Sequence, residues 1–150
     1  ALVLGAGGAA RAVIAALLAD GAPAVRLANR TRARAETLRE HFGARVEIVD
    51  WTQASAAADG AMTIVNTTSM GMEGQPALPL RLDAAPRGAL VTDIVYAPLV
   101  TPLLVQASAL GLASVDGLGM LLHQAAPGFE RWFGVRPEVD DDLRAAVLAK

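Results

Sequence analysis

Cysteine is absent from this chain of 150 residues, which excludes disulfides and thiolate metal sites together. Histidine is almost absent. His41 and His123 stand far apart in sequence, so a histidine metal cluster is not expected and no metal site is visible. Lysine occurs once, at Lys150. Aromatic residues make up only 4 % of the chain and the net charge is -2. A nucleic-acid surface needs excess positive charge and interleaved aromatics, and neither is present. No apolar run reaches the roughly 18 residues of a membrane span, and no basic segment leads into an apolar one as in a signal peptide. A soluble, cytoplasmic protein with no nucleic-acid or membrane partner is the expectation.

What the chain does have is apolar residues, 53 % against 19 % charged. That balance suits a single domain whose strands are covered on both faces. Short apolar runs at residues 1–5, 24–28, 45–49, 62–66, 89–95 and 113–115 read as strands. Between them, residues 8–20 and 32–42 have helical spacing and end before Gly21 and Gly43, both stop signals. Residues 53–58 suggest a short helix. Residues 99–110 read as a helix with Pro102 in its first turn, and residues 118–133 as a long one. Pro137 is expected to open a last helix, with Glu138 and Asp140 to Asp142 at its positive end and Lys150 at its negative end. Strands alternating with helices predict an α/β fold, a doubly wound parallel sheet in three layers. Right-handed crossovers then give the strand order 3-2-1-4-5-6. The chain opens inside what reads as its first strand, so it is expected to be one domain cut from a longer protein.

Two stretches carry chemistry. The first is "LGAGGAAR", residues 4–11. Gly5-x-Gly7-x-x-Ala10 fits the glycine turn that joins a strand to a helix in dinucleotide sites. Gly5 permits the tight turn, Gly7 lets backbone approach a pyrophosphate, and Ala10 lets the helix lie close to the sheet. The helix N-terminus would point its free N–H groups at the phosphates. A glycine turn of this kind can also be purely structural.

The second stretch is "LANRTRARAE", residues 27–36. The end of the second strand in this fold lies beside the adenosine ribose. An acid there would favour NAD. This chain has Asn29 and Arg30, followed by Thr31, Arg32 and Arg34. Guanidinium groups match phosphate oxygens with a planar fork of donors. The pattern suits an adenosine 2'-phosphate, and NADP is the expected cofactor. The competing reading is a solvated helix start, which is expected of Arg32.

Five motifs occur in order: "GAGGAAR", "NRTRARA", "NTTSMGM", "DIVY.P..TPLL" and "DGLGMLLHQA". Together they resemble the NADP-binding, C-terminal portion of shikimate dehydrogenase, a Rossmann-like domain, over nearly the whole chain. The resemblance implies that Gly5, Ala6, Gly7, Gly8 and Ala9 hold the pyrophosphate. It implies that Asn29, Arg30, Thr31 and Arg34 hold the 2'-phosphate, and that Asn66 to Ser69, with Thr67 and Ser69 in contact, lie beside the cofactor. Ile94 would meet the nicotinamide end through its backbone, flanked by Gly117 and Met120. Tyr96 and Gln124 would reach the substrate. The catalytic Lys and Asp of such enzymes would sit in a preceding substrate domain, so this chain has no catalytic residue of its own. The implied reaction is reversible, NADPH-dependent reduction of 3-dehydroshikimate to shikimate, on the route to aromatic amino acids.

Each assignment has a plainer competitor. Asn, Ser and Thr after a strand are also ordinary turn residues. Tyr96 could be a core ring, Met120 core packing, and Gln124 a satisfied interior amide. His123 is expected at the surface. Asp93 is expected to bond nearby backbone rather than act as an acid. For the whole chain, the alternatives are a quinate/shikimate dehydrogenase of broader specificity and a non-catalytic NADP-binding sensor module. The residues give no firm sign of oligomeric state, and a homodimer is left open.

Overall fold

A computed structural model describes residues 1–149. Six parallel strands form one sheet: β1 (Leu2–Leu4), β2 (Val25–Ala28), β3 (Val46–Val49), β4 (Thr63–Asn66), β5 (Leu90–Asp93) and β6 (Ala113–Val115). Their spatial order is β3-β2-β1-β4-β5-β6, as predicted. Five helices accompany them: α1 (Gly8–Ala19), α2 (Arg32–Phe42), α3 (Pro102–Ala109), α4 (Gly117–Phe133) and α5 (Asp141–Leu148). None is long and apolar enough to cross a membrane.

Side chains alternate across the sheet, so β1 feeds both cores. Val3 points to one face with Val25, Leu27 and Val46, where α1 supplies Ala10 and Ile14 and α2 supplies Ala35 and Leu38. Leu2 and Leu4 point to the other with Ile64 and Val91, under Leu80, Leu82, Leu103 and Leu104. Both faces of β1 are thus dry, which is why its three residues read as a continuous apolar run.

The order reverses between β1 and β4, which pair directly, Leu4 opposite Asn66. The chain leaves the sheet here in opposite directions, through Gly5–Gly7 and through Thr67–Met70. In open parallel sheets the crevice at this reversal is where ligands bind.

Three expectations change. The short helix foreseen at 53–58 is two 3-10 turns, Trp51–Gln53 and Ala56–Ala58. Strand β5 stops at Asp93, because the Val95 N–H is taken by the Asp93 carboxylate at 3.0 Å instead of by a neighbouring strand. Pro137 does not open the last helix. That helix starts at Asp141, where the Asp140 carboxylate caps it by accepting from Leu143 N–H at 2.8 Å. A side-chain acceptor satisfies an orphan N–H directly, which a proline four residues earlier cannot do. Lys150, foreseen near the end of that helix, lies outside the described residues.

Candidate functional site

A cleft of about 200 Å³ opens at the reversal point, lined by Gly5, Ala6, Gly7, Asn29, Arg30, Arg34, Trp51 and Thr67 to Met70. A contiguous shallow pocket brings Gly8 and Arg11 alongside Arg34. Most of the glycine-turn and basic-stretch residues are therefore in one place. They come from the carboxyl ends of β1, β2, β3 and β4.

The two glycines of the turn differ. Gly5 has φ +102°, and a Cβ there would lie 2.8 Å from Thr67 Oγ1. The fold itself demands glycine at that position. At Gly7, by contrast, a Cβ would meet nothing within 4 Å. Gly7 borders open space in the cleft, so the protein's own packing gives no reason for it.

Helix ends supply the electrostatics. α1 begins from Gly7, which has no side chain to cap it, and its first turn carries no acid. α2 begins from Thr31, whose side chain makes no capping bond, again with no acid in the first turn. The other three helices are all capped by side chains: Thr101 for α3, Asp116 for α4 and Asp140 for α5. The two uncapped helices are the two that start at the cleft. Their free N–H groups and positive dipole ends are suited to anions.

The arginines divide as the residue pattern suggests. Arg32 turns away, donating to Glu36 at 3.0 Å and to Asp50 at 2.6 Å. Arg30 and Arg34 line the cleft, and among the described residues neither is in an ion pair or a side-chain hydrogen bond. Asn29 closes the turn by donating to the Thr31 carbonyl at 2.8 Å. Among the described residues, no carboxylate lines the cleft.

Behind the β4 loop lies a buried polar network. Asn66, fully buried, donates to the Asp93 carboxylate at 2.9 Å and to the Met70 carbonyl at 3.0 Å. Its Oδ1 accepts from Thr68 N–H at 3.0 Å and from Thr68 Oγ1 at 2.7 Å. Asp93 also accepts from Thr101 Oγ1 at 2.7 Å. Burial pushes the Asp93 carboxyl above its ordinary value, and the bonds from Thr101, Val95 and Asn66 only partly offset that. Asp93 therefore accepts from nearby backbone at Val95, as anticipated, and beyond that expectation ties β5 to β4 through Asn66 and to α3 through Thr101. Thr67 donates its hydroxyl to the Leu4 carbonyl at 2.6 Å, so its side chain holds the two loops together. Ser69 is exposed on the cleft wall.

The remaining candidates lie elsewhere. Ile94 and Met120 line a separate apolar groove with Val13, Leu17 and Thr92. Gly117 packs so closely that a Cβ would collide with the Ile94 and Val95 carbonyl oxygens. This contact seats the start of α4 on the end of β5. Tyr96 is 49 % exposed and Gln124 is exposed, so neither the core-ring nor the interior-amide reading holds. The described residues do not enclose either in a pocket with the cleft. His123 is at the surface. Reasoning from motifs placed Thr68 beside the cleft with its neighbours but gave no role to Trp51, Met70 or Arg11. For Trp51 a signal existed, because it directly follows the third strand, at the end of the sheet where ligands bind.

A parallel sheet with this order, a glycine turn at its reversal point and uncapped helix ends over a basic cleft define a dinucleotide-binding domain of the Rossmann class. Comparison with known proteins narrows it. Residues 1–77 match the model of the shikimate / quinate 5-dehydrogenase family, and residues 117–147 match the shikimate 5'-dehydrogenase C-terminal domain. The chain belongs to the shikimate / quinate 5-dehydrogenase family. It is 66 % identical over 149 residues to the NADP(+) shikimate dehydrogenase of Paracoccus denitrificans, covering 99 % of this chain and 53 % of the relative. The corresponding protein of Dinoroseobacter shibae is 68 % identical, with 99 % and 54 % covered. The chain thus spans about half the length of these relatives. Among solved structures, the shikimate dehydrogenase of Thermus thermophilus in complex with NADP(H) and shikimate superposes with a TM-score of 0.78 at 42 % identity, over 91 % of this chain and 50 % of that one. Quinate dehydrogenase of Corynebacterium glutamicum in complex with NAD gives 0.87 at 32 % identity, over 99 % and 54 %.

Proposed function

We propose that this chain is the NADP-binding domain of a shikimate dehydrogenase that reversibly reduces 3-dehydroshikimate to shikimate with NADPH, on the route to aromatic amino acids. The observation that carries the reading is the cleft at the sheet reversal, which gathers Gly7, two uncapped helix N-termini, Arg30 and Arg34 with no carboxylate among the described residues that line it. Gly5 to Ala9 would hold the pyrophosphate on the first turn of α1. Asn29, Arg30, Thr31 and Arg34 would hold the 2'-phosphate at the start of α2, with the walls at Thr67 and Ser69 closing the opposite side. Ile94, Gly117 and Met120 would bound the nicotinamide end, and Tyr96 and Gln124 would face the substrate.

Relatives differ in cofactor, since one superposing structure holds NADP(H) and another NAD. The residues here favour the phosphorylated form. NAD recognition favours a carboxylate acceptor for a ribose hydroxyl at the end of β2, and the cleft lining here has Asn29, Arg30 and Arg34 there instead. When bound, the cofactor supplies the hydride. The chain's own residues bind and orient it. The proton donors for the ketone are proposed to lie in a substrate domain outside the 150 residues, which fits the half-length coverage of the relatives.

Titration of NADP and NAD into the chain by calorimetry tests this. Charge-assisted hydrogen bonds contribute roughly 1.5–3 kcal/mol each. Two of them should favour NADP by about a hundredfold or more. Arg30→Ala with Arg34→Ala should remove that preference and leave NAD binding nearly unchanged. Equal affinity of the wild-type chain for the two would sink the proposal.

A further inference from the structure

The strand ends around the cleft form a row. From β4 through β1 and β2 to β3 they carry Thr67–Met70, the glycine turn, Asn29–Arg34 and Trp51. On the reading proposed above, pyrophosphate lies over β1 and the 2'-phosphate over β2. The part of the dinucleotide that continues outward is the adenine, and the next strand outward is β3. Strands are about 4.8 Å apart, so Trp51 stands one strand spacing beyond the phosphate-facing arginines.

Trp51 is built as a wall. It follows Val49, the last residue of β3, by two positions, and it is half-buried. One side packs against the core cluster that contains Leu4, Ala28 and Ala54. Its turn is pinned, with Gln53 N–H donating to the Asp50 carbonyl at 2.8 Å. Asp50 is itself held by Arg32 at 2.6 Å. Of the residues lining the cleft, Trp51 is the one aromatic. An aromatic ring packed on the core and lining the same cleft as two arginines offers what a purine needs in order to stack.

We propose that Trp51 is the adenine platform of this domain, and so a determinant of affinity for any adenine dinucleotide. This rests on the cleft being the NADP site. It also separates two tasks: Arg30 and Arg34 read the 2'-phosphate, whereas Trp51 reads the base and does not distinguish NADP from NAD.

The chain has two tryptophans, and the other, Trp132 on α4, is 79 % exposed. Trp132→Phe therefore leaves Trp51 as the sole indole reporter. Titrating NADP into that variant should quench its fluorescence, saturating at the affinity found by calorimetry. Trp51→Leu should weaken NADP and NAD alike, by about tenfold. Trp51→Phe, which keeps a flat ring, should retain most of the affinity. Nicotinamide mononucleotide, which lacks adenine, should respond to none of these changes. If NADP binds Trp51→Leu as tightly as wild type and leaves Trp51 fluorescence unchanged, the platform is refuted while the cofactor site stands. If the wild-type chain binds neither dinucleotide, the platform and the cofactor site fall together. Should Trp51→Leu unfold, as circular dichroism would show, the fluorescence of Trp132→Phe and the affinity of Trp51→Phe still decide the matter.

Discussion

A methyl group at Gly5 would sit 2.8 Å from the Thr67 hydroxyl, on a backbone with φ +102°. A methyl group at Gly7 would touch nothing. Gly5→Ala should therefore destabilise the domain by about 1–3 kcal/mol, from strain and the crowded Thr67–Leu4 bond together. Chemical denaturation would measure it. Gly7→Ala should unfold at the same denaturant concentration as wild type yet bind NADP at least about tenfold more weakly, a loss of about 1.4 kcal/mol. A Gly7→Ala protein with unchanged affinity would remove the phosphate role from that residue. Asp93 makes a different prediction. Its folded-state pKa lies above the ordinary value because it is buried. The native protein thus keeps that proton to higher pH than the unfolded chain. The associated stability is complete below the ordinary carboxylate value and is lost as pH rises through the native one. Asp93→Asn should flatten the fall of stability with pH above about pH 4. Urea midpoints across that range would show it, and an unaltered slope would place the titration on another group.

Among the elements, α1 and α2 have bare N-termini and the others are capped. Leaving a cap out forgoes roughly 1 kcal/mol of helix stability, which an anion at the cleft can restore. The α4–α5 pair shows the opposite arrangement. Asp116 caps α4 by accepting from Leu118 N–H at 3.0 Å and also receives Arg144 of α5 at 2.5 Å. No residue of α5 is buried, so this one ion pair is its main polar tether. Arg144→Ala should speed amide hydrogen exchange throughout α5 while leaving β1 to β4 protected. Asp116→Ala should do the same and also loosen the first turn of α4. If exchange in α5 does not change with Arg144→Ala, its apolar contacts with α4 hold it instead.

At the scale of the molecule, the sheet places the proposed cofactor-holding groups on four strand ends, and the proposed substrate residues Tyr96 and Gln124 are exposed. A domain with this arrangement should bind NADPH without turning over 3-dehydroshikimate. Purified chain, NADPH and 3-dehydroshikimate, followed by nicotinamide absorbance, should give no rate above background. Reduction at a normal enzymatic rate by the 150 residues alone would contradict the proposed division of labour.

Strand order, helix placement and the glycine and arginine motifs were legible in the residues, because apolar periodicity and short-range turn chemistry are local properties. The last helix was misplaced at Pro137, since a proline signals where a helix can start but not which nearby side chain will cap it. The demand for glycine at residue 5 comes from Thr67, 62 positions away. Trp51 reached the cleft because β3 lies beside β2, an adjacency the alternation of strands and helices implies, but which residue after β3 lines the cleft is set by how its turn packs on the core. By itself, then, the order of residues determined which segments become strands and helices and which charges follow the second strand. Folding decided which of those groups share one cleft, because proximity between strand ends is set by packing the sheet's two faces and not by distance along the backbone.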